Sequence, residues 1–170
     1  FGSCLFQIGI SAGPSLFGRE VSSATLLGAY FLPSSVTYFA ANWVAANHGA
    51  RIGLDRLVLI GAIGSFAIAV LLVVGQLLLG PSLVLFFAAV GLFGGSQGLL
   101  IASAVSRAVS AAGPTLAGTA SGLAGCLQFG VAGLASLLAG HAAVISHGAV
   151  AACFLFCATV SLLILTRFPR

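Results

Sequence analysis

The sequence predicts an all-α fold, a polytopic bundle of transmembrane helices, and three observations carry the prediction. Hydrophobic residues make up 60% of the 170-residue chain and charged residues 5%, against about 25% charged in an ordinary soluble domain; mean hydropathy is +1.22. The apolar residues fall in stretches of about 20, long enough at ~1.5 Å rise per residue to cross ~30 Å of hydrocarbon as helices. The few charges lie between the stretches: six arginines stand against Glu20 and Asp55, for a net charge of +4. A nucleic-acid-binding protein would gather such charges on one surface. At span ends they report topology instead, so the expected partner is the lipid bilayer and not a nucleic acid. The length holds five or six spans with short loops and leaves no soluble domain over.

The chain starts at Phe1, contains no methionine, and is apolar from its first residue. Residues 1–13 read as the end of a truncated first span, with Gln7 inside it, and the chain as a piece whose N-terminal half is absent. A signal peptide is not expected, because the positively charged n-region and the small-residue cleavage site are missing. Residues 14–22 form a loop with Arg19 and Glu20. Residues 23–47 are the second span. At ~100° per residue, Tyr30, Ser34, Ser35, Thr37, Tyr38 and Asn42 share one side, while Leu32, Val36, Phe39 and Trp43 share the other. The polar side is expected to face a cavity or another helix, although each hydroxyl can also bond a carbonyl of its own helix. Pro33 is a candidate kink.

Residues 48–56, HGARIGLDR, are read as a cytoplasmic loop carrying Arg51, Asp55 and Arg56. Residues 57–79 are apolar all round, interrupted by Gly61, Gly64 and Ser65 and, near the end, Gln76. That places the third span at the periphery, against lipid. Gly80-Pro81 is a tight turn. In the fourth span, 82–107, Gly91, Gly94, Gly95 and Gly98 make two overlapping GxxxG steps, which let a second helix come close. Gln97 beside them is either a bond between helices or a substrate contact. Gly113-Pro114 ends the helix within a loop at 109–115.

Residues 116–140 are the stretch around which the rest is expected to pack. They carry Gly118, Gly122, Gly125, Gly130 and Gly133, with a GxxxG step from Gly118 to Gly122. Gln128 sits near the middle and shares a face with Ser121, Gly125 and Ala132. A mid-membrane amide needs a partner in another helix, water or a ligand, so this span is predicted to lie inside the bundle. A loop at 141–148 holds His141 and His147, read as solvated imidazoles at the interface. The last span is 149–166. Cys4, Cys126, Cys153 and Cys157 read as small buried hydrophobes and not as metal ligands; no cofactor is expected. If the loop at 48–56 is cytoplasmic, Arg51, Arg56, Arg107, Arg167 and Arg170 all lie on that side and only Arg19 lies outside, a positive-inside pattern with the C-terminus cytoplasmic.

Six Gly-rich spans with a cytoplasmic C-terminus resemble the C-terminal half of a major facilitator superfamily transporter. Within it, AGTASGLAGCLQFGVAG at 117–133 resembles the eleventh-helix signature of the Bcr/CflA drug-resistance transporters, approximately AGTAS-x-L-x-G followed by a polar residue and more glycines. HGARIGLDR stands where that family has its basic loop between helices eight and nine. One position departs: members often carry an Asn late in helix ten, where this chain reads IASAVSRAVS. The resemblance implies the C-terminal six-helix repeat, with the first helix truncated. It also implies proton-coupled efflux of drugs or other small neutral or amphipathic molecules, by alternating access, in the inner membrane of a bacterial cell. Helices seven and ten would border the cavity, eight and eleven would face the missing N-terminal half, and nine and twelve would lie outside. Coupling residues are expected in that half, since no Asp, Glu, Arg or Lys lies mid-span here. Candidates for lining the pathway are Gln97, Gln128, Tyr38 and Asn42; candidates for helix packing are Gly91, Gly94, Gly95, Gly98, Gly118, Gly122 and Gly125.

Two other functions fit parts of the sequence. A metabolite transporter of the same superfamily, for a sugar or an amino acid, would use the same uncharged polar residues. TASG at 119–122 is superficially similar to the motif of an intramembrane serine protease, with His141 or His147 as base. Ser121, however, lies near the cytoplasmic end of its helix and His141 is twenty residues further on, about 30 Å along the axis, whereas a catalytic pair needs hydrogen-bond reach. An enzyme is not the expectation.

Overall fold

Helices occupy nearly all of the computed structural model, which describes residues 2–17 and 23–167. The segments are α1 (Gly2–Phe17), α2 (Ala24–Tyr30), α3 (Leu32–Ile52), α4 (Leu54–Leu79), α5 (Leu83–Ala112), α6 (Ala117–Ile145) and α7 (His147–Arg167). Arg19, Glu20 and Arg170 lie outside the described residues, as does most of the loop read at 14–22. Pro14 itself is inside α1.

Pro33 acts upstream of its own position. It has no N–H to offer the Ala29 carbonyl, and its ring crowds that carbonyl. The chain therefore breaks between α2 and α3 at Phe31, whose N–H closes a tighter turn on Gly28 O at 3.0 Å. Phe31 keeps φ −88° and ψ −11°, so the two segments form one interrupted helix.

The turns at Gly80 and Gly113 fall where the Gly-Pro pairs predict them, at φ +76° and +77°, backbone that glycine enters without strain. Two predicted loops are not loops. Residues 48–56 are helical apart from Gly53 (φ +92°), which alone separates α3 from α4. Residues 141–148 are helical apart from Ser146, whose hydroxyl accepts the Ala149 N–H at 3.1 Å and caps α7. Arginine and histidine end the apolar run without ending the helix, because they are acceptable helix formers.

The bundle is built around α5. Along one side α3 runs parallel to it: Pro33 lies beside Gly91, Ser34 beside Gly94, and Tyr38 and Asn42 beside Gly98. On another side α4 runs antiparallel, with Gly75 against Leu85, Gly61 against Ser96 and Leu100, and Asp55 paired to Arg107. The third side meets α1, α7 and the end of α2 in an aromatic core. Phe93 stacks on Phe154 at 5.1 Å, Phe86 meets Phe17 at 5.3 Å, and Phe87 stacks on Tyr30 at 5.0 Å, spacings at which aromatic pairs add attraction beyond area burial.

This corrects the expectation that 116–140 lies inside. One face of α6 packs on α1, α5 and α7. Yet a Cβ added at Gly118, Gly122, Gly125, Gly130 or Gly133 meets nothing within 4 Å. A GxxxG step permits close approach but does not supply the partner. The bulky aromatics of α5 supply what the small residues of α6 lack, and α5 takes the centre.

Among the described residues, three helices are long and apolar enough to cross a bilayer: Leu54–Leu79, Leu83–Ala112 and Ala117–Val144. The apolar parts of α1 and α7, Cys4–Pro14 and Gly148–Ile164, are shorter. At 21 residues, α3 has the length but is diluted by hydroxyls, asparagines and His48. Leu71, Leu77, Leu78, Leu134, Leu137 and Leu138 are exposed, a surface suited to lipid. By helix length and hydropathy the chain is a multi-pass membrane protein.

Candidate functional site

Four helices converge on a cavity of about 380 Å³, within the range of small-molecule sites. Its walls are Phe6 and Gln7 from α1, Ser35 and Tyr38 from α3, Gln97 and Ile101 from α5, and Gln128, Phe129 and Ala132 from α6. Among the described residues no charged side chain lines it. Three of the four pathway candidates, Gln97, Gln128 and Tyr38, therefore meet in one place although 90 residues separate Tyr38 from Gln128 in sequence (128 − 38).

The polar side of α3 divides between two tasks. Ser34 is buried and donates to Phe31 O at 2.6 Å. The Thr37 hydroxyl reaches across to Gly91 O in α5 at 2.5 Å, with Ser34 O at 3.1 Å. Tyr38 and Ser35, further round the helix, face the cavity. Asn42 lies outside the cavity walls: its Nδ2 donates to Tyr38 O one turn back at 2.8 Å, the local bond available to any helical asparagine. Space for this parallel contact comes from α5. A Cβ on Gly98 would sit 2.7 Å from Tyr38 O, and one on Gly94 would strike Ser34 O. Gly91 and Gly95 are in ordinary contact with Pro33 and Thr37.

Gln97 is both a bond between helices and a wall of the cavity. It is 1% exposed. In α4, Ser65 Oγ donates its single proton to Gly61 O at 2.9 Å, so toward Gln97 it presents a lone pair. The amide accordingly turns Nε2 to Ser65, a long bond of 3.4 Å, and leaves Oε1 without a hydrogen-bond partner among the described residues. An unmatched buried acceptor costs about 1–3 kcal/mol.

Gln7 and Ser65 are the parts of the site that the sequence does not single out, whereas Ser35 belongs to the polar side of 23–47 that is expected to face a cavity or another helix. The signal was present, a polar side chain inside an apolar stretch, but the helix register alone does not say which neighbour it meets. At one end of the bundle Arg107 pairs with Asp55 at 2.5 Å, with Arg51 and Arg56 exposed nearby. A second cavity of about 520 Å³, between α1, α6 and α7, is lined by apolar side chains with Cys4, Cys153 and Cys157. Cys4 and Cys157 are buried, while Cys126 is exposed on α6 and departs from the expectation of burial. Among the described residues no group of three side chains could hold a metal. Ser121 Oγ donates to Gly118 O at 2.9 Å, and Ser121 shares the single helix Ala117–Ile145 with His141, so those two do not approach each other.

Comparison of the chain with models of known families, with curated proteins and with solved structures finds no match.

Proposed function

We propose that the chain is one half of a membrane transporter that moves small neutral or amphipathic molecules, of the major facilitator type that residues 117–133 resemble. The observation that carries the reading is the convergence of Gln7, Tyr38, Gln97 and Gln128 on one uncharged cavity within an otherwise apolar bundle. Polar side chains at membrane depth are costly unless they meet a partner or a pathway. The open GxxxG step of α6, Gly118 and Gly122, supports the same reading, because small residues without a neighbour suit the approach of another helical backbone. In this arrangement the second half closes the cavity and supplies the titratable groups of proton-coupled drug efflux. Arg51, Arg56 and Arg107 mark the cytoplasmic end by the positive-inside rule, and the membrane is the inner membrane of a bacterial cell.

The test is drug accumulation in cells expressing the complete reading frame that contains this chain, in a background stripped of its own efflux pumps. The proposal expects lower accumulation of one or more neutral antibiotics, and loss of that effect in Gln97→Ala and Gln128→Ala at equal protein level. Unchanged accumulation across a broad panel, with the protein present in the membrane, contradicts it.

A further inference from the structure

We infer that the second cavity, between α1, α6 and α7, is a slot that holds a hydrocarbon chain of a membrane lipid. It is a site of its own and does not depend on the transport reading.

The chemistry of the walls selects the occupant. They carry alkyl groups, the ring of Phe156 and three thiols. A thiol is a weak hydrogen-bonding group that packs as a small hydrophobe, and Cys4 directs its Sγ to Val131 O at 3.7 Å. Among the described residues, nothing in the walls would hold a water, which needs about two to four polar partners, or repay the dehydration of a polar ligand. At about 520 Å³ an empty slot would also deprive its lining of dispersion contacts.

The shape and the mouth select the same occupant. On α6 the walls run from Val131 to Leu138, seven residues (138 − 131) or about 10 Å along the helix; on α7 they run from Ala152 to Cys157. The long dimension follows the helix axes, the direction in which bilayer chains also run. Leu134, Leu138 and Phe156 are exposed, while Ile8, Ala135 and Cys157 are buried. The exposed side chains therefore form the mouth and the buried ones the floor. The mouth is continuous with the outward leucine surface, to which Leu137 belongs, and the neighbour of that surface is hydrocarbon. The polar cavity also uses α1 and α6, but through Gln7, Gln128 and Phe129, and the two cavities share no wall residue. A chain in the slot touches three helices, whereas a chain on the outer surface touches the rims of one or two.

The test uses the full chain in phosphatidylcholine nanodiscs containing a small fraction of phosphatidylcholine with a diazirine midway along one acyl chain. After irradiation, the labelled side chains are located by mass spectrometry of peptides. The expected result is label at Cys153 and Val131, which are only partly exposed, as well as at the outward Leu71. Ala152 lies at the surface of the slot, so Ala152→Phe sets a ring in it without entering the core. That variant should lose the label at Cys153 and Val131 and keep it at Leu71. Ala152→Leu serves if the phenylalanine variant fails to fold. Label confined to outward side chains such as Leu71 in the wild type, the result given by a slot covered by another helix, overturns the inference. So does label at Cys153 and Val131 that is undiminished when the slot is filled.

Discussion

Gly94 and Gly98 lie where the backbones of α3 and α5 come closest, and a methyl group at either would meet a backbone carbonyl of α3. Backbone cannot move aside as a flexible side chain can, so Gly94→Ala and Gly98→Ala should each destabilise the bundle by about 1–3 kcal/mol, as overpacking does. Gly122→Ala should leave stability unchanged or raise it by up to ~1 kcal/mol, since nothing lies near and alanine is the better helix former. Thermal unfolding of the three variants in one detergent checks both statements; equal effects would contradict the assignment of α5 as the packed glycine helix. The two glycine patterns read alike in sequence. A GxxxG step encodes what a helix face permits, and the identity of the neighbour depends on residues elsewhere. Polar side chains were more legible: Gln97, Gln128 and Tyr38 stand out because an amide or phenol in an apolar stretch must find a partner. Asn42 stood out for the same reason, but it satisfies itself on Tyr38 O, and a helical wheel does not register that bond.

Among the elements, Gly-Pro pairs marked the ends of α4 and α5 because both residues change what the backbone can do. Charged and imidazole residues misled, since they change only what the side chain prefers. Hence α3 and α4 are separated by Gly53 alone, and α6 and α7 by Ser146 alone. Packing between elements distant in sequence was the least legible, and the contact of α1 with α7 is an instance. There Cys4 and Cys157 are both buried and line one cavity although the residues are 153 positions apart (157 − 4). Mild oxidation with copper–phenanthroline in membranes should therefore link Cys4 to Cys157 within one chain and leave Cys126 unlinked, as read by mass spectrometry of peptides. A Cys4–Cys126 link in its place would show that α1 packs differently.

At the scale of the whole molecule, composition sets the class and the charges set the ends. Six arginines and two carboxylates in 170 residues leave few places for polarity, and Arg51, Asp55, Arg56 and Arg107 gather at one end. The Asp55–Arg107 pair is partly exposed and adds little stability by itself; its value is as a marker that α4 and α5 are antiparallel neighbours. Between the ends, the molecule divides into an aromatic core around α5, a leucine-rich outer surface, and an uncharged cavity bounded by α1, α3, α5 and α6. The proposed transport function requires that cavity to be hydrated. Its most direct test is labelling of single cysteines, placed in a cysteine-free background at Tyr38, Gln128 and Leu71, with a membrane-impermeant maleimide in intact membrane vesicles of both orientations. Labelling at Tyr38→Cys and Gln128→Cys with protection at Leu71→Cys is the predicted result. Equal protection at all three positions, in both vesicle orientations, would contradict it.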